Sequence, residues 1–489
     1  MKKKLIVSFA ILLMASLMLT SCGARSNRFS IDDALYDFDY MIQMMLDTFP
    51  CFGVAERNPG NFPFIFGDIE GPRTSNLDSI DILALAEETR AIIENYPYSL
   101  QDMAADLGMD IRDIPAFDEH VFWSILTYDF FAHFVVFAHA QSFDFSAFDF
   151  WRRHFANTNP SRHPLTSLNT LVGRNEESIN FYREQEAFFN TIIEGDPALI
   201  QFILRAEPSQ GESDPVVQPA VRTEIIEEGR IAYLNIDRFM VPPIVIYRRE
   251  LIDFYQQIQD YDHLIIDIRD NWGGILDFAR MLIMYPLWYD RGNMPDMPLF
   301  SLHVGSERGY ELGQLHFRER RHTSEFIPQS DGLLTIAQLL EVYDLPYLNR
   351  DDLQNLSHGM RLDTSLANIN QTFLNRRSLH NLEHVPFGGQ IWLLTSEFNL
   401  SSSAMFARQA KEMGFATLVG EPVSGAYTST WTTFFALPNS GIVLRWDIDY
   451  LVDEHGRALN EFPTQPHHFN RPGMDALETT LALIAEGNY

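Results

Sequence analysis

A strand that runs into two glycines is the first segment of this chain able to support chemistry. The apolar run Leu264–Ile268 predicts a buried strand, and Gly273 and Gly274 follow where the next helix begins. Glycines permit a tight turn, and the N–H groups at a helix start are unpaired and lie at the positive end of the helix dipole. Most such turns are only turns, but this arrangement is also able to hold an oxyanion.

Three consecutive serines at the start of a predicted helix form the second segment. The strand Ile391–Thr395 precedes them, and the helix continues to about Met413. Serine is a favoured N-cap residue, so capping alone would explain a serine here. A serine hydroxyl beside a base is also a nucleophile, so the segment leaves both interpretations open. The three residues are Ser401, Ser402 and Ser403.

A regular alternation of strands and helices surrounds both segments. Ile231–Ile236 and Leu264–Ile268 are short apolar runs typical of buried strands, and residues 245–260 between them have a helical pattern. Gln390–Leu394 predicts the next strand of the same kind. We therefore expect residues 221–489 to form an α/β core.

Two other regions differ from this alternation. Residues 30–220 have a mostly helical period and predict an N-terminal helical domain, with Ser30 as the cap of its first helix. This domain ends in residues 207–220, which are rich in proline and serine and predict a linker. A stretch from about 290 to 386, rich in charge, Asn and His, separates two strands of the core and predicts an insertion or a lid.

Together, the two segments resemble the C-terminal processing peptidase and tricorn-protease family of serine peptidases. That family carries an Ile-Asp-x-Arg-x-Asn-x-Gly-Gly strand end, a nucleophile helix with Ser-Ser-Ala-Glu-x-Phe-Ala, and a Gly-Glu-Pro…Gly strand end. The resemblance covers roughly residues 223–489 without the insertion, and it implies a crotonase-like (Clp protease-like) α/β core. The matching residues are Asp267, Arg269, Asn271, Gly273, Gly274, Leu394, Thr395, Ser401, Ser402, Met405, Phe406, Ala407, Gly420, Glu421, Pro422 and Gly425.

The resemblance implies specific roles for the serines and the glycines. By the register of the match Ser401 is the nucleophile, with Ser403 as the alternative. Attack on an amide carbonyl builds a tetrahedral oxyanion. Its donors would be the backbone N–H of Gly273 or Gly274 and that of Ser402.

The base that activates the serine differs between branches of the family. One branch uses a lysine at a position where this chain has Ala426, and Lys411 lies inside the predicted helix. We therefore exclude a Ser–Lys dyad. The tricorn-like branch uses a histidine that follows an apolar helix, and this corresponds to His139. His133 is the alternative, and a core histidine without a catalytic role stays open.

The tricorn-like arrangement also uses a glutamate near the C-terminal end of the core. The segment Leu459–His467 resembles that part of the family and implies Glu461, with a solvated strand-end carboxylate as the alternative. His467 and His468 are adjacent, but no His-Glu-x-x-His helix or cysteine pair accompanies them. We therefore expect no metal site and no cofactor.

The N-terminus has the pattern of a secretion signal. Three lysines precede the hydrophobic run Leu5–Thr20, which is shorter than the about 20 residues that a membrane span needs. Leu19–Cys22 resembles the lipobox of bacterial lipoproteins, which implies cleavage before Cys22 and diacylation of its sulfur. An ordinary signal peptide with a chance cysteine is the alternative. We predict a signal peptide over residues 1–21 and a tether over 22–29, with lipid anchoring at the extracytoplasmic side of the cell membrane.

Composition narrows the class of partner. The chain has 489 residues and a formal net charge of −30, so its surface would repel nucleic-acid phosphates. Its 46% hydrophobic and 21% charged residues are typical of a packed globular protein and not of a disordered one. Only two cysteines occur, so no disulfide framework is expected, and Cys51 should be a buried, unreactive thiol.

Three functions are consistent with these patterns. The leading hypothesis is a secreted, lipid-anchored serine endopeptidase or carboxyl-terminal-type peptidase that hydrolyses peptide or protein substrates through a Ser–His mechanism. The alternative is a catalytically inactive peptide-binding lipoprotein on the same fold. It is favoured by Ala404 in place of the motif glutamate and by Ala138, which leaves no hydroxyl before His139. A solute-binding lipoprotein shares the anchor and the acidity, but it does not explain the two motif segments.

Overall fold

The computed structural model describes most of the chain from Phe29 onward. The predicted signal peptide, Cys22 and the linker 207–220 lie outside the described residues. These are 29–57, 80–101, 114, 116–133, 139–156, 158–195, 221–239, 245–288, 295–322, 327–363, 384–423 and 429–487.

Helices make up most of the region before residue 196. The first begins as the sequence predicts, because the Ser30 hydroxyl accepts a hydrogen bond of 3.1 Å from the N–H of Asp33. The apolar stretch after Asp118 is helical, through a π-helical turn and a 3-10 turn, as far as His133. The helices here are α1 (Ile31–Thr48), α2 (Phe52–Arg57), α3 (Ile82–Glu94), α4 (Glu119–Ser124), α5 (Phe145–Phe155), α6 (Pro164–Val172) and α7 (Glu176–Gly195).

Strands and further helices alternate after residue 220. The helices are α8 (Val245–Gln257), α9 (Leu276–Ala279), α10 (Tyr285–Leu287), α11 (Glu307–Arg320), α12 (Ile336–Val342), α13 (Ser401–Glu412) and α14 (Ala476–Glu486). The strands of the described chain are β1 (Gln141–Ser142), β2 (Val221–Glu227), β3 (Ile231–Ile236), β4 (His263–Asp267), β5 (Leu299–Val304), β6 (Ile327–Pro328), β7 (Leu334–Thr335), β8 (Leu356–Asp363), β9 (Gln390–Thr395), β10 (Thr417–Gly420), β11 (Thr432–Ala436), β12 (Val443–Asp447), β13 (Tyr450–Val452) and β14 (His468–Phe469).

The central sheet has six strands in the order β14-β10-β9-β4-β3-β2. All pairings are parallel except that of β2 with β3. Alternate residues of β4 enter different hydrophobic clusters: Leu264 lies in one with Phe406 of α13, and Ile265 lies in another with Leu483 of α14. Helices therefore cover both faces, which explains why the strands are continuously apolar. The predicted α/β fold with a helical region is confirmed.

A second sheet joins the helical region to the end of the core. Its strand order is β1-β12-β11, and β1 belongs to the helical region. The antiparallel register pairs Gln141 with Arg445 and Ser142 with Leu444. Residues 139 and 140, just before β1, are thereby placed beside the C-terminal end of β12.

The stretch set apart in the sequence as an insertion or lid contains an antiparallel sheet. β13, from outside this stretch, pairs with β5, which pairs with β8; both β6 and β7 pair with β8. The buried carboxylate of Glu319 on α11 accepts hydrogen bonds of 2.8 Å from the N–H groups of Leu165 and Thr166, at the start of α6. The described part of the stretch therefore packs against both the core and the helical region.

The burial of Cys51 and the length and polarity of the helices bear on two predictions from the sequence. Cys51 is fully buried, as expected, and burial raises the pKa of its thiol well above the usual value. Among the helices that the structure describes, none is both long enough and apolar enough to cross a lipid bilayer.

Candidate active site

The two motif segments meet at the carboxyl ends of neighbouring parallel strands. The register of β4 and β9 pairs Asp267 with Leu394, so the loops that follow both strands leave the sheet at the same level. Asn399 fastens them, because its side-chain N–H₂ donates to the carbonyls of Ile268 at 2.5 Å and Asn271 at 3.1 Å. The sequence therefore brings the glycine turn and the serine helix together, as the motif match implies.

Two charged motif residues anchor the end of β4. Asp267 accepts hydrogen bonds from the Tyr233 hydroxyl at 2.7 Å and from the Arg269 guanidinium at 2.7 and 3.0 Å. Arg269 also contacts Asp475, the N-cap of α14, at 2.8 Å. Burial and the hydrogen bond to Asp267 raise the pKa of Tyr233, so the phenol remains a donor. These residues position the loop and do not point to proton transfer.

Ser401 is the first residue of α13, and its backbone has φ of +52°. Leu400 is the N-cap and provides no side-chain hydrogen bond to the first turn. The helix start is therefore not capped by a side chain, which is the arrangement that leaves N–H groups available to an anion. Capping does not explain the serine run, since none of the three hydroxyls is the cap.

Gly273 packs against the backbone that carries Ser401. A Cβ atom on Gly273 would lie 2.9 Å from both the Leu400 carbonyl oxygen and the Ser401 Cβ, and the φ of Gly273 is +118°. Only glycine combines that conformation with that close approach. The glycine turn and the predicted nucleophile are therefore in direct contact.

The amides that were predicted as oxyanion donors differ in whether they already make a hydrogen bond. The Gly273 N–H donates to the Asn271 side-chain oxygen at 2.9 Å, so it is already engaged. Within the described residues, the N–H groups of Gly274 and Ser402 make no hydrogen bond. These two amides are the ones available to a developing oxyanion.

His139 lies opposite a buried carboxylate. It precedes β1 by two residues, and the β1–β12 register continues to Asp447 at that position. The Nδ1 atom of His139 lies 2.8 Å from Oδ1 and 3.0 Å from Oδ2 of Asp447. Because an ionised carboxylate only accepts, Nδ1 carries the hydrogen and Nε2 is left as the basic nitrogen.

Asp447 is buried to 1% side-chain exposure, whereas His139 is 16% exposed. Burial raises the pKa of Asp447, and the contact with His139 works in the opposite direction. Asp447 was not among the residues predicted from the sequence. The signal was a charged residue at the end of a strand that is otherwise largely buried, Val443–Asp447, where a carboxylate needs a partner.

Glu461, implied as the acid, is placed elsewhere. Its carboxylate accepts from the Arg57 guanidinium at 2.9 Å, and the same guanidinium binds Asp352 at 2.6 and 2.8 Å. The carboxylate in contact with His139 is therefore Asp447 and not Glu461. The physical reason is that Arg57, from α2, neutralises the Glu461 charge.

The other residues considered for chemistry lie in ordinary positions. Ser403 is fully buried, and its hydroxyl has no hydrogen-bond partner among the described residues. Lys411 donates to the Gln465 carbonyl at 2.7 Å on the exposed side of α13. His133 is exposed at the end of its turn, and Ala426 lies outside the described residues. No three His, Cys, Asp or Glu side chains in the described ranges are grouped closely enough to bind a metal ion.

Ser401 and His139 share one unusual property. They are the only non-glycine residues of the described chain with positive φ, at +52° and +50°. Such conformations cost an ordinary residue about 1–3 kcal/mol and are concentrated at functional sites. The Ser401 hydroxyl makes no hydrogen bond with any described residue, so the structure does not join it to His139.

Comparison with known protein families identifies the part of the chain that holds this site. The model of peptidase family S41 matches residues 230–295 and 318–468. The matched segments include Gly273, Ser401 and Asp447, whereas His139 lies before them.

Three solved structures are similar to this chain at low identity. A lipoprotein from Streptococcus agalactiae is 11% identical over 95% of this chain and 100% of that one, with a TM-score of 0.39. A putative peptidase from Parabacteroides merdae is 12% identical over 93% and 97%, with a TM-score of 0.42. A putative S41 protease from Bacteroides fragilis is 16% identical over 56% and 59%, with a TM-score of 0.34. All three TM-scores are below 0.5.

Replacing Gly273 tests the close packing of the two loops. Gly273→Ala is expected to lower the free energy of unfolding by about 2–4 kcal/mol, since it adds backbone strain to a steric overlap. Gly414→Ala is the control, because Gly414 also has positive φ (+70°) but nothing lies within 4 Å of its Cβ position. The control should lose only about 1–2 kcal/mol. Urea unfolding measures both, and equal losses would contradict the packing described.

Proposed function

We propose that this chain, which matches the model of peptidase family S41 through residues 230–295 and 318–468, hydrolyses peptide bonds with Ser401 as its nucleophile. The observation that carries the proposal is the position of Ser401. It lies at a helix start without a side-chain cap, in a strained conformation, and against Gly273. Two amides that make no hydrogen bond within the described residues lie close by, that of Gly274 in the glycine turn and that of Ser402 in the first turn of α13.

The proposed reaction uses His139 as base and acid in turn. Ser401 Oγ attacks the scissile carbonyl, and its proton passes to Nε2 of His139, whose Nδ1–H is held by Asp447. The amides of Gly274 and Ser402 donate to the tetrahedral oxyanion. His139 then returns the proton to the leaving amine, and water releases the acyl group by the same steps. Substrate binding has to bring Ser401 and His139 together, since catalytic hydrogen bonds are often incomplete in empty sites.

A catalytically inactive peptide-binding protein is the second candidate. It is favoured by the Ser401 hydroxyl, which has no hydrogen bond to His139 or to any other described residue. Ala404, buried on α13 where the motif has glutamate, favours it as well. In this case the two loops would hold a peptide carbonyl without cleaving the bond. The two candidates differ in whether the serine reacts.

We further propose that the protein is a lipoprotein anchored through Cys22 at the extracytoplasmic face of the cell membrane. The proposal is supported by the lipobox-like Leu19–Cys22 after a hydrophobic run. Phe29, the first described residue, is buried and packs against Phe117 and Phe122, with ring centroids 6.2 and 5.7 Å away. Phe29 lies seven residues after Cys22. At about 3.5 Å per residue, this length of chain would keep the aromatic cluster within roughly 25 Å of the lipid.

The nucleophile is tested by a pair of serine variants on one helix. Ser401→Ala is expected to lower peptide hydrolysis by at least roughly 10³-fold and to abolish labelling by a fluorophosphonate probe. Ser403→Ala should retain both, because its hydroxyl makes no contact that the mechanism uses. A peptide library provides the substrates. Unchanged labelling of the Ser401 variant would refute the assignment, and an unreactive wild-type protein would favour the binding function.

The role of Asp447 as the carboxylate that orients His139 is tested by two isosteric carboxamide variants. Asp447→Asn should lower kcat by about 10³–10⁴-fold, because an amide cannot hold His139 in the required tautomer. Glu461→Gln should change kcat by less than about threefold, since the side chain contacts Arg57 and not His139. Steady-state kinetics on the same peptide compares them. A larger loss with Glu461→Gln than with Asp447→Asn would contradict the proposed triad.

The lipid anchor is tested by metabolic labelling. Radiolabelled fatty acid is expected on the wild-type protein and not on Cys22→Ala, because only the Cys22 thiol is proposed to be acylated. Cys51→Ala should label like wild type and serves as the matched control, since Cys51 is buried. Persistent labelling of the Cys22 variant would contradict the anchor.

A further inference from the structure

A second buried carboxylate, that of Asp449, lies two residues beyond Asp447, the carboxylate proposed to orient His139. Asp449 is 2% exposed, and three hydroxyl groups donate to it. The distances to its oxygens are 2.9 Å from Ser301 Oγ, 2.5 Å from Ser429 Oγ and 2.5 Å from Thr430 Oγ1. Hydrogen bonds to a charged acceptor are stronger than neutral ones, so this set holds Asp449 in one place.

The three hydroxyls come from two different parts of the chain. Ser301 lies on β5, within the stretch that the sequence set apart as an insertion, whereas Ser429 and Thr430 precede β11. β5 also pairs with β13, and the register places Ser301 opposite Leu451. Asp449 is therefore the point where the insertion sheet meets the strand that carries Asp447.

β5 also holds the peptide between the two carboxylates. The buried His303 ring donates from Nδ1 to the carbonyl of Ile448 at 3.0 Å. Burial lowers the pKa of His303, which keeps the ring neutral, so the contact adds no charge. Two side chains of one strand, Ser301 and His303, thus fix Ile448 and Asp449, directly after Asp447.

We propose that Asp449 is a positioning residue, through which β5 holds Asp447 in contact with His139. The proposal rests on the proposed function for its catalytic meaning. Asp449 does not touch the reacting groups and acts only through Asp447. The insertion then helps to position the site, because its strand β5 contacts Asp449 and thereby fixes Asp447, the residue that orients His139.

The charge of Asp449 gives this arrangement a measurable signature. The titratable or charged groups that the described part of the chain brings near Asp447 include His139, Arg445, Asp449 and the Cys51 thiol, which burial keeps neutral. Of these, Asp449 raises the pKa of Asp447, whereas His139 and Arg445 lower it. Replacing Asp449 by a neutral residue of the same shape should therefore lower the pKa of Asp447. Because the proposed mechanism needs an ionised Asp447, the acid limb of the kcat/KM profile should move to lower pH.

Three variants of the full mature chain test the proposal. Asp449→Asn is expected to lower kcat by about 10- to 100-fold with KM within about twofold, as for a small misplacement of a catalytic group. Ser301→Ala, which removes one hydrogen bond from the insertion, should lower kcat about fivefold. Ser330→Ala is the control, because that serine belongs to the same stretch but donates to Gly332. It should behave as wild type.

A readout independent of activity separates this proposal from the proposed function. The His139 Nδ1–H···Asp447 bond should give a downfield imidazole proton in NMR, assigned by its loss in His139→Gln. That signal should shift or broaden in Asp449→Asn and in Ser301→Ala, even if the wild-type protein cleaves no peptide. A folded Asp449→Asn with unchanged kcat, pH profile and imidazole proton would overturn the proposal. If that variant does not fold, Ser301→Ala decides, and identity with Ser330→Ala would overturn it.

Discussion

The antiparallel register between β1 and β12 is the constraint on which the candidate site depends. A slip of one residue would turn the side chain before β1 to the other face and separate His139 from Asp447. β1 has only two residues, so further bonds are needed to fix it. Tyr182 provides them, since its hydroxyl donates to the Phe143 carbonyl at 3.2 Å and accepts from the Val443 N–H at 2.9 Å. The position of His139, the proposed base, is thus set by packing of the helical region.

Ion pairs between distant segments support the same arrangement. Arg57 of the helical region contacts Asp352 of the insertion and Glu461 of the core, and the Tyr450 hydroxyl donates to Asp352 at 2.8 Å. Removing Arg57 would leave the buried Asp352 carboxylate without its charged partner, which is more costly than the pair is stabilising. The network therefore makes the relative placement of three segments specific. Glu461 is paired with Arg57 in this network. The carboxylate that contacts His139 is instead that of Asp447.

Local patterns predicted what depends on near neighbours. The apolar runs predicted β4 and β9, the Ser30 cap predicted the start of α1, and the glycine pair predicted the turn that faces the serine helix. The partner of His139 could not be predicted in this way. It lies 308 positions away, and the residues of β12 do not show which segment lies opposite them. The insertion was also hard to interpret, because β6 and β7 have two residues each, too few to show a period.

The division of the site between the helical region and the core has a practical consequence for anyone who expresses parts of this protein. A fragment trimmed to the family boundaries, residues 230–468, would keep Ser401 and Asp447 but lose His139, the proposed base. It would also expose the edge of β12 that pairs with β1, a row of unpaired backbone groups that promotes aggregation. An inert or insoluble fragment would therefore say nothing about the intact chain.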